Sequence, residues 1–210
     1  MLKKVDHVTY AVLPERMRFW LWYHIEVEGG RLVTKLDDVT PDAPSSMTLC
    51  CIDYDDEFGI ALVSGIDRVK RSQVSVFVER HGDHAVQHVA YGVENLDDFV
   101  NRLCSLGGRM RGEMITRHDG FGLVKQGFGK GYAASGDPAA DSFPEYLERP
   151  PRARRKKARM RPHITFSVTA GRGFYEQLER ARATADAEPL IDESSMPSDW
   201  TIPEPQTKTP

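Results

Sequence analysis

Cysteine is scarce in this chain, and charge of either sign is not in excess. Three cysteines among 210 residues, Cys50, Cys51 and Cys104, form an odd set. A strand would send the adjacent pair to opposite faces, so no disulfide framework is expected. Cys50 and Cys51 lie in the apolar stretch from Met47 to Ile52 and read as small buried hydrophobes, with no chemistry assigned to them. Lys and Arg number 28 against 31 Asp and Glu, a formal net charge of -3. That balance lacks the basic excess of a nucleic-acid binder, and nucleic acid is not an expected partner. No apolar run approaches the roughly 18–20 residues of a membrane span, so no membrane partner is expected either. The charged start from Met1 to Asp6 has no apolar segment of the kind that directs secretion, which makes the cytoplasm the expected address. What is present, 40% hydrophobic residues over 210 positions, suffices for a compact core in one domain or two small ones.

The chain repeats itself. Asp6-His7-Val8-Thr9-Tyr10-Ala11-Val12 recurs as Gln87-His88-Val89-Ala90-Tyr91-Gly92-Val93, and Gly29-Gly30-Arg31 recurs as Gly107-Gly108-Arg109. Each copy opens with period-2 alternation rich in Val and Tyr, the pattern of a strand. A helix follows. In the second copy Leu96, Phe99, Val100, Leu103 and Leu106 share a face behind the capping residue Asn95. In the first copy Pro14 opens the helix and Phe19, Trp20, Tyr23 and His24 lie along it. The glycine pairs end both helices. Further β-rich runs are Ser46–Asp53, Phe58–Ile66, Gly122–Phe128, a weaker Gly131–Ser135, and Ser142–Arg149.

These patterns predict an α+β chain of two tandem βαβββ modules, 1–80 and 81–150, packed into a curved, cup-like mixed β-sheet. The packing can form within one chain or by exchange between two, which leaves a homodimer open. Residues 151–187 hold a basic linker with Arg152, Arg154, Arg155, Lys156, Lys157, Arg159 and Arg161, then an extra strand at His163–Val168 and a C-terminal helix at Gly173–Ala185. A basic run of this kind is usually a solvated linker and otherwise a site for an acidic partner. Residues 188–210 are rich in proline and read as a flexible tail without catalytic residues.

The repeat places His7 and His88 at equivalent positions of the two first strands. One histidine in a strand is more often a satisfied polar residue than a ligand, but two at equivalent places can converge on a metal. On the last strand Glu145 alternates with Phe143 and Leu147. A carboxylate there is either in solvent or buried, and if buried it needs a cation. Two imidazoles and a carboxylate on one side of an ion leave positions open for substrate and dioxygen, the arrangement associated with non-haem Fe(II). Two other groupings are weaker. His81, His84 and His88 can suggest zinc, although Gly82 interrupts the helix their spacing requires, and His81 and His84 read as loop residues. Phe19, Trp20, Trp22 and Tyr23 can form a stacking platform but at helical spacing read as core.

In order, Val5-Asp6-His7-Val8, Val86-Gln87-His88-Val89-Ala90 and Phe143-Pro144-Glu145-Tyr146-Leu147-Glu148-Arg149 resemble the metal-ligand strands of the vicinal oxygen chelate superfamily. Within it they are most similar to the catalytic domain shared by 4-hydroxyphenylpyruvate dioxygenase and hydroxymandelate synthase. Lys70-Arg71-Ser72-Gln73-Val74 is similar to that family's Lys-Ser-Gln-Ile, Lys130-Gly131-Tyr132 to its Lys-Gly-Tyr, and Gly171-Arg172-Gly173-Phe174 to the opening of its C-terminal helix. The resemblance covers roughly residues 3–187. It implies the vicinal oxygen chelate fold, Fe(II) or another divalent metal held by His7, His88 and Glu145, and Gln73 in the substrate site. The activity implied is that of a dioxygenase, with a small 2-oxo acid or aromatic compound that chelates the metal, and dioxygen, as substrates.

Three rival readings remain. A ring-cleaving extradiol dioxygenase uses the same ligand set. A glyoxalase-type isomerase would need a fourth ligand near Phe58–Ile66, which contains no His, Glu or Gln. The third is a metal-free drug-binding protein of the same fold.

Overall fold

The computed structural model describes residues 1–38, 44–54, 58–119, 122–133, 135–150, 180 and 189–206. The chain divides into one unit of Met1–Pro150 with Met196–Pro210 and a second of Pro151–Ser195. Of the second unit only Arg180 and 189–195 are described, the latter including a short 3-10 turn at Glu193–Ser195. The basic run, the extra strand at His163–Val168 and, apart from Arg180, the C-terminal helix lie outside the described residues.

Alternating Val, Thr and Tyr hold β1 (Leu2–Ala11) in extended backbone. Pro14, with its preset φ, starts a 3-10 turn that leads into α1 (Met17–Trp22) and then a π-helical turn, Tyr23–Val27. β2 (Arg31–Asp38), β3 (Met47–Tyr54) and β4 (Phe58–Gly65) complete the first module. A connecting helix, α2 (Gln73–His81), is capped by Ser72, whose Oγ accepts from the Val74 N–H. The second module repeats the first: β5 (Ala85–Val93), α3 (Leu96–Ser105), β6 (Ile115–Asp119), β7 (Gly122–Phe128) and β8 (Phe143–Glu148). Asn95 caps α3 as its sequence predicts, accepting from the Asp98 N–H at 2.9 Å.

The eight strands among the described residues form one sheet in the order β2-β3-β4-β1-β5-β8-β7-β6. β1 pairs in parallel with β4, and β5 in parallel with β8, while the antiparallel β1–β5 pair joins the modules. The result is the expected mixed sheet, curled into a half-barrel. The two glycines that end each helix have different duties. Gly29 and Gly107 take positive φ, +76° and +90°, and turn the chain out of the helix. Gly30 and Gly108 are close-packed: a Cβ would run into Ile52 and the His24 carbonyl in one module, and into Leu103 in the other.

Several elements differ from the sequence expectation. β2 and β6, the sheet edges, carry charged and polar side chains that hide the strand pattern. Gly131–Ser135 is not a strand in its described residues. Asp141 takes the Ser135 N–H at 3.1 Å and packs against Gly131, which removes groups a ladder would need. α2 had no sequence assignment; Val74, Phe77 and Val78 form its buried stripe, and His81 is its last residue rather than part of a loop.

Alternation gives the central strands two faces. Tyr10, Ile60, Leu62, Cys50 and Ile52 face α1 and close the main core with Met17, Leu21 and Leu32. Burial pushes the Cys50 thiol up to about 11, in keeping with an inert core residue. The opposite face, which carries His7, Thr9 and Ala11, is covered at the Ala11 end by α2 through Val74, Phe77 and Val78. Where the sequence suggests a free tail, Trp200 and Ile202 pack on the main core. Arg18 donates to the carbonyls of Ser198 and Trp200, the Trp200 Nε1–H donates to Glu26 at 2.8 Å, and the Gln206 N–H donates to the Leu32 carbonyl. An indole with one apolar body and one donor fits such a half-buried seat. Among the described residues no helix is long and apolar enough to cross a membrane.

Candidate metal centre

Strand register brings the candidate ligands together. One row across the sheet reads Gly59, His7, Ala90, Glu145 and Phe128, and the next reads Ala61, Thr9, His88 and Phe143. Because side chains alternate, all nine positions lie on one face. His7 and Glu145 therefore flank the small Ala90, with His88 in the adjoining row. His7 Nε2 is 3.4 Å and His88 Nε2 3.3 Å from the same oxygen, Glu145 Oε2. The three candidate ligand atoms lie within 4.8 Å of one another. Two ligands about 2.1 Å from one ion and at right angles to each other are about 3 Å apart, so the spacing suits a shared ion.

The outer contacts repeat as well. The residue before each histidine reaches its Nδ1: Asp6 Oδ1 at 3.1 Å from His7, and Gln87 Oε1 at 3.4 Å from His88. An acceptor at Nδ1 favours the tautomer that leaves Nε2 free to ligate. Asp6 is in turn gripped by Arg149, whose Nε and terminal nitrogen donate to its two oxygens at 2.9 and 3.1 Å. We expect Asp6→Ala to weaken metal binding by about 10–100-fold, the range for lost outer-shell partners, as metal-binding isotherms would measure. An affinity within threefold of wild type would mean that His7 needs no orienting partner.

The carboxylate sits where it needs a cation. Glu145 is 3% exposed and flanked by Phe143 and Leu147. Burial alone would raise its pKa, but hydrogen bonds from His7 and His88 outweigh burial and hold it at about 2. Burial likewise lowers His7, yet Asp6 and Glu145 together lift it to about 9, while for His88 burial prevails and its pKa falls. A proton on His7 thus partly offsets the charge of the buried carboxylate. Two half-buried imidazoles and one buried carboxylate, convergent on one point, form a donor set that suits a borderline divalent metal such as Fe(II).

Repeat symmetry also reveals a gap in the ligand set. His7 corresponds to His88 and Thr9 to Ala90; Ala90 pairs with Glu145, so the counterpart of Glu145 is Thr9's partner, Ala61. A methyl group there leaves one side of the centre without a protein ligand. Around the site Phe143 stacks on His88, with centroids 4.9 Å apart, and the Arg111 guanidinium lies 3.9 Å over Phe143. Arg111 also borders a cavity of about 750 Å³ with Arg109, Lys130, Tyr132 and Tyr146, so the Lys130-Gly131-Tyr132 stretch lines this cavity and contributes no strand. Gln73 begins α2 toward the Ala11 end of the face that carries the three candidate ligands, and its N–H donates to the Pro44 carbonyl. Sequence reasoning did not single out Asp6, Gln87 or Gln126, the last 8% exposed on the site face and accepting from Arg117 at 2.6 Å. Only the first two had a signal, the repeated dipeptide of a hydrogen-bonding residue before each histidine.

No protein-family model matches the chain, and no curated protein matches it. Solved structures do. A variant of 4-hydroxymandelate synthase from Streptomyces coelicolor matches with a TM-score of 0.62 at 18% identity, over 86% of this chain and 56% of the synthase. Methylmalonyl-CoA epimerase from Mycobacterium tuberculosis matches with a TM-score of 0.50 at 22% identity, over 71% and 90% of the two chains. This is the vicinal oxygen chelate fold. A hypothetical protein from Bacillus halodurans matches at 0.53 and 17% identity, over 72% of this chain and 98% of its own. The chain spans little more than half the length of the synthase it resembles. Likeness at these identities establishes the vicinal oxygen chelate architecture, not the reaction.

His81 and His84 stand apart from the centre. The His81 Nε2–H donates to the Ala140 carbonyl at 2.7 Å. His84 lies on the other side of the sheet, stacked between Trp20 and Tyr10 at 3.8 and 4.3 Å. Its Nε2 is 2.9 Å from Nε2 of His24, whose Nδ1 donates to Glu28 at 2.7 Å. Phe19 and Trp22 are buried as expected, whereas Trp20 ties this cluster together by donating to Asp83 at 2.7 Å. Facing nitrogens need one donor and one acceptor, so the pair loses its bond when both rings are protonated. Burial lowers His84 to about 4 and lowers His24 also. A base with a depressed folded pKa stabilises the fold above its unfolded pKa of about 6.5, and that stability is lost as pH falls through the folded value. Unfolding free energies from urea titrations should therefore drop between pH 6.5 and 4, by about 1–2 kcal/mol for the partly exposed His84 after allowance for solvent screening. His84→Asn should flatten that slope; an unchanged slope would place the titration elsewhere.

Proposed function

We propose that this chain is a metal-dependent enzyme, a non-haem Fe(II) dioxygenase acting on a small 2-oxo acid or aromatic compound that chelates the metal. The observation that carries the reading is the three-donor centre whose fourth corner is Ala61. A site with protein ligands on one side only can admit two substrate oxygens and dioxygen together. When bound, the iron would supply the electrons that activate dioxygen.

The chain's own residues would do the rest. His7, His88 and Glu145 hold the ion, while Asp6 and Gln87 fix the imidazole rings. Phe143 and Phe128 line the site with apolar surface that keeps water from the oxidant. Gln73, at the N-terminal end of α2 on this face, would contact substrate as a hydrogen-bonding group. The resemblance stated for residues 70–74 supports that role.

The test is anaerobic reconstitution with Fe(II), metal analysis after desalting, and oxygen uptake with panels of 2-oxo acids and of catechols. About one iron per chain with uptake driven by 2-oxo acids is the expected result. Uptake with catechols alone would make the protein a ring-cleaving dioxygenase. No retained metal would overturn the reading in favour of a metal-free binding protein.

A further inference from the structure

Thr9 sits beside Ala61, the fourth corner of the candidate metal centre. It follows His7 by two residues on the same face of β1, pairs across the strands with His88 on one side, and pairs with Ala61 on the other. It is 1% exposed, and its Oγ1 is buried with no hydrogen-bond partner. A buried hydroxyl without a partner is destabilising and calls for a reason.

The fold itself does not need this hydroxyl. The position equivalent to Thr9 in the second module is Ala90, also fully buried and also beside a histidine ligand, so the sheet accepts a side chain with no polar group there. The neighbouring floor positions, Gly59 and Ala61, are equally small and apolar. Of the two symmetric corners, Ala90 adjoins Glu145, where the protein supplies a ligand, and Thr9 adjoins Ala61, where it does not. The one buried unpartnered hydroxyl among the described residues therefore lies on the side where a bound molecule would complete the coordination shell.

We propose that Thr9 orients the chelating ligand, its hydroxyl donating a hydrogen bond to a metal-bound oxygen of a small carboxylate-bearing chelator on the Ala61 side. The assignment rests on the metal-dependent reading above. It adds a specificity determinant, because a ligand without an acceptor oxygen in that position leaves the hydroxyl unpaired, and an anionic oxygen accepts more strongly than a neutral one.

The test uses Co(II)-loaded protein and oxalate, a bidentate dianion, with binding followed by the visible absorption of the metal. Thr9→Val keeps the shape and removes the hydroxyl; Thr9→Ser keeps the hydroxyl. Both variants should bind Co(II) within about threefold of wild type. Oxalate should bind Thr9→Val about tenfold or more weakly and Thr9→Ser close to normally, the range for a hydrogen bond to a charged oxygen. Thr9→Ala, the residue of the other module, serves if the valine variant does not fold. Oxalate binding to Thr9→Val within threefold of wild type would overturn the assignment. Loss of Co(II) from that variant alone would also overturn it, since Thr9 would then support the metal. A wild-type protein that takes up no Co(II) would overturn the metal-dependent reading itself, and with it the role of Thr9.

Discussion

Glu145→Ala is expected to reduce metal content from about one ion per chain to nearly none, with affinity falling by well over the roughly 100-fold that outer-shell losses reach. The carboxylate is the donor that both histidines approach, at 3.4 and 3.3 Å, and it brings the negative charge that a divalent ion needs in a buried site. His7→Ala and His88→Ala should behave alike, each leaving two donors. Metal analysis after desalting is the direct check, and the rise in melting temperature on adding Co(II) is the second, because a ligand bound only by the folded state must stabilise it. Glu145→Gln should fall between wild type and alanine, since its amide oxygen ligates weakly. Full metal content in Glu145→Ala, with an unchanged melting shift, would remove the proposed centre.

Phe77→Ala is expected to cost about 3–5 kcal/mol of unfolding free energy, the usual penalty for emptying a large buried aromatic site. Phe77 is 1% exposed and anchors α2 to Ala11 and Val63 on the face that carries the candidate ligands, with Val74 and Val78 beside it. It also packs against the His81 ring, centroids 4.4 Å apart, and so joins the helix to the segment holding Ala140. Phe77→Leu should cost much less because most of the volume is kept. Urea unfolding of the apoprotein would read both values. A loss below about 1 kcal/mol for alanine would mean that α2 rests loosely on the sheet and is not a fixed wall of the site.

Much of the centre is legible in the amino-acid order because the repeat does the work of a second sequence. His7 and His88 are notable only as a pair, and the pairing needs no coordinates. The same comparison could have exposed Asp6 and Gln87, since both precede the histidines. Gln126 left no trace, because a glutamine on a strand gives no sign of the face it occupies. The edge strands β2 and β6 escaped notice for a related reason: edges are kept polar, and polarity erases the period-2 signal. α2 is too short for a helical period to rise above its Ser, Gln and Glu residues. Trp200 lies among prolines that read as unstructured, and only the apolar core beneath it explains why that stretch is held in place.

The sequence by itself displayed the duplication, the opening strand and helix of each copy, and the three candidate side chains His7, His88 and Glu145. These follow from local periodicity and from internal repetition, which a linear chain displays directly. Tertiary structure alone decided how the strands line up across the sheet. Parallel pairing of β1 with β4 and of β5 with β8 joins residues more than 50 positions apart, and a slip of one residue would turn His7 away from Glu145. That register places Ala61 opposite the carboxylate and leaves Thr9 unpartnered beside it. A cross-strand neighbour depends on pairing between distant segments, and such pairing is a property of the folded sheet.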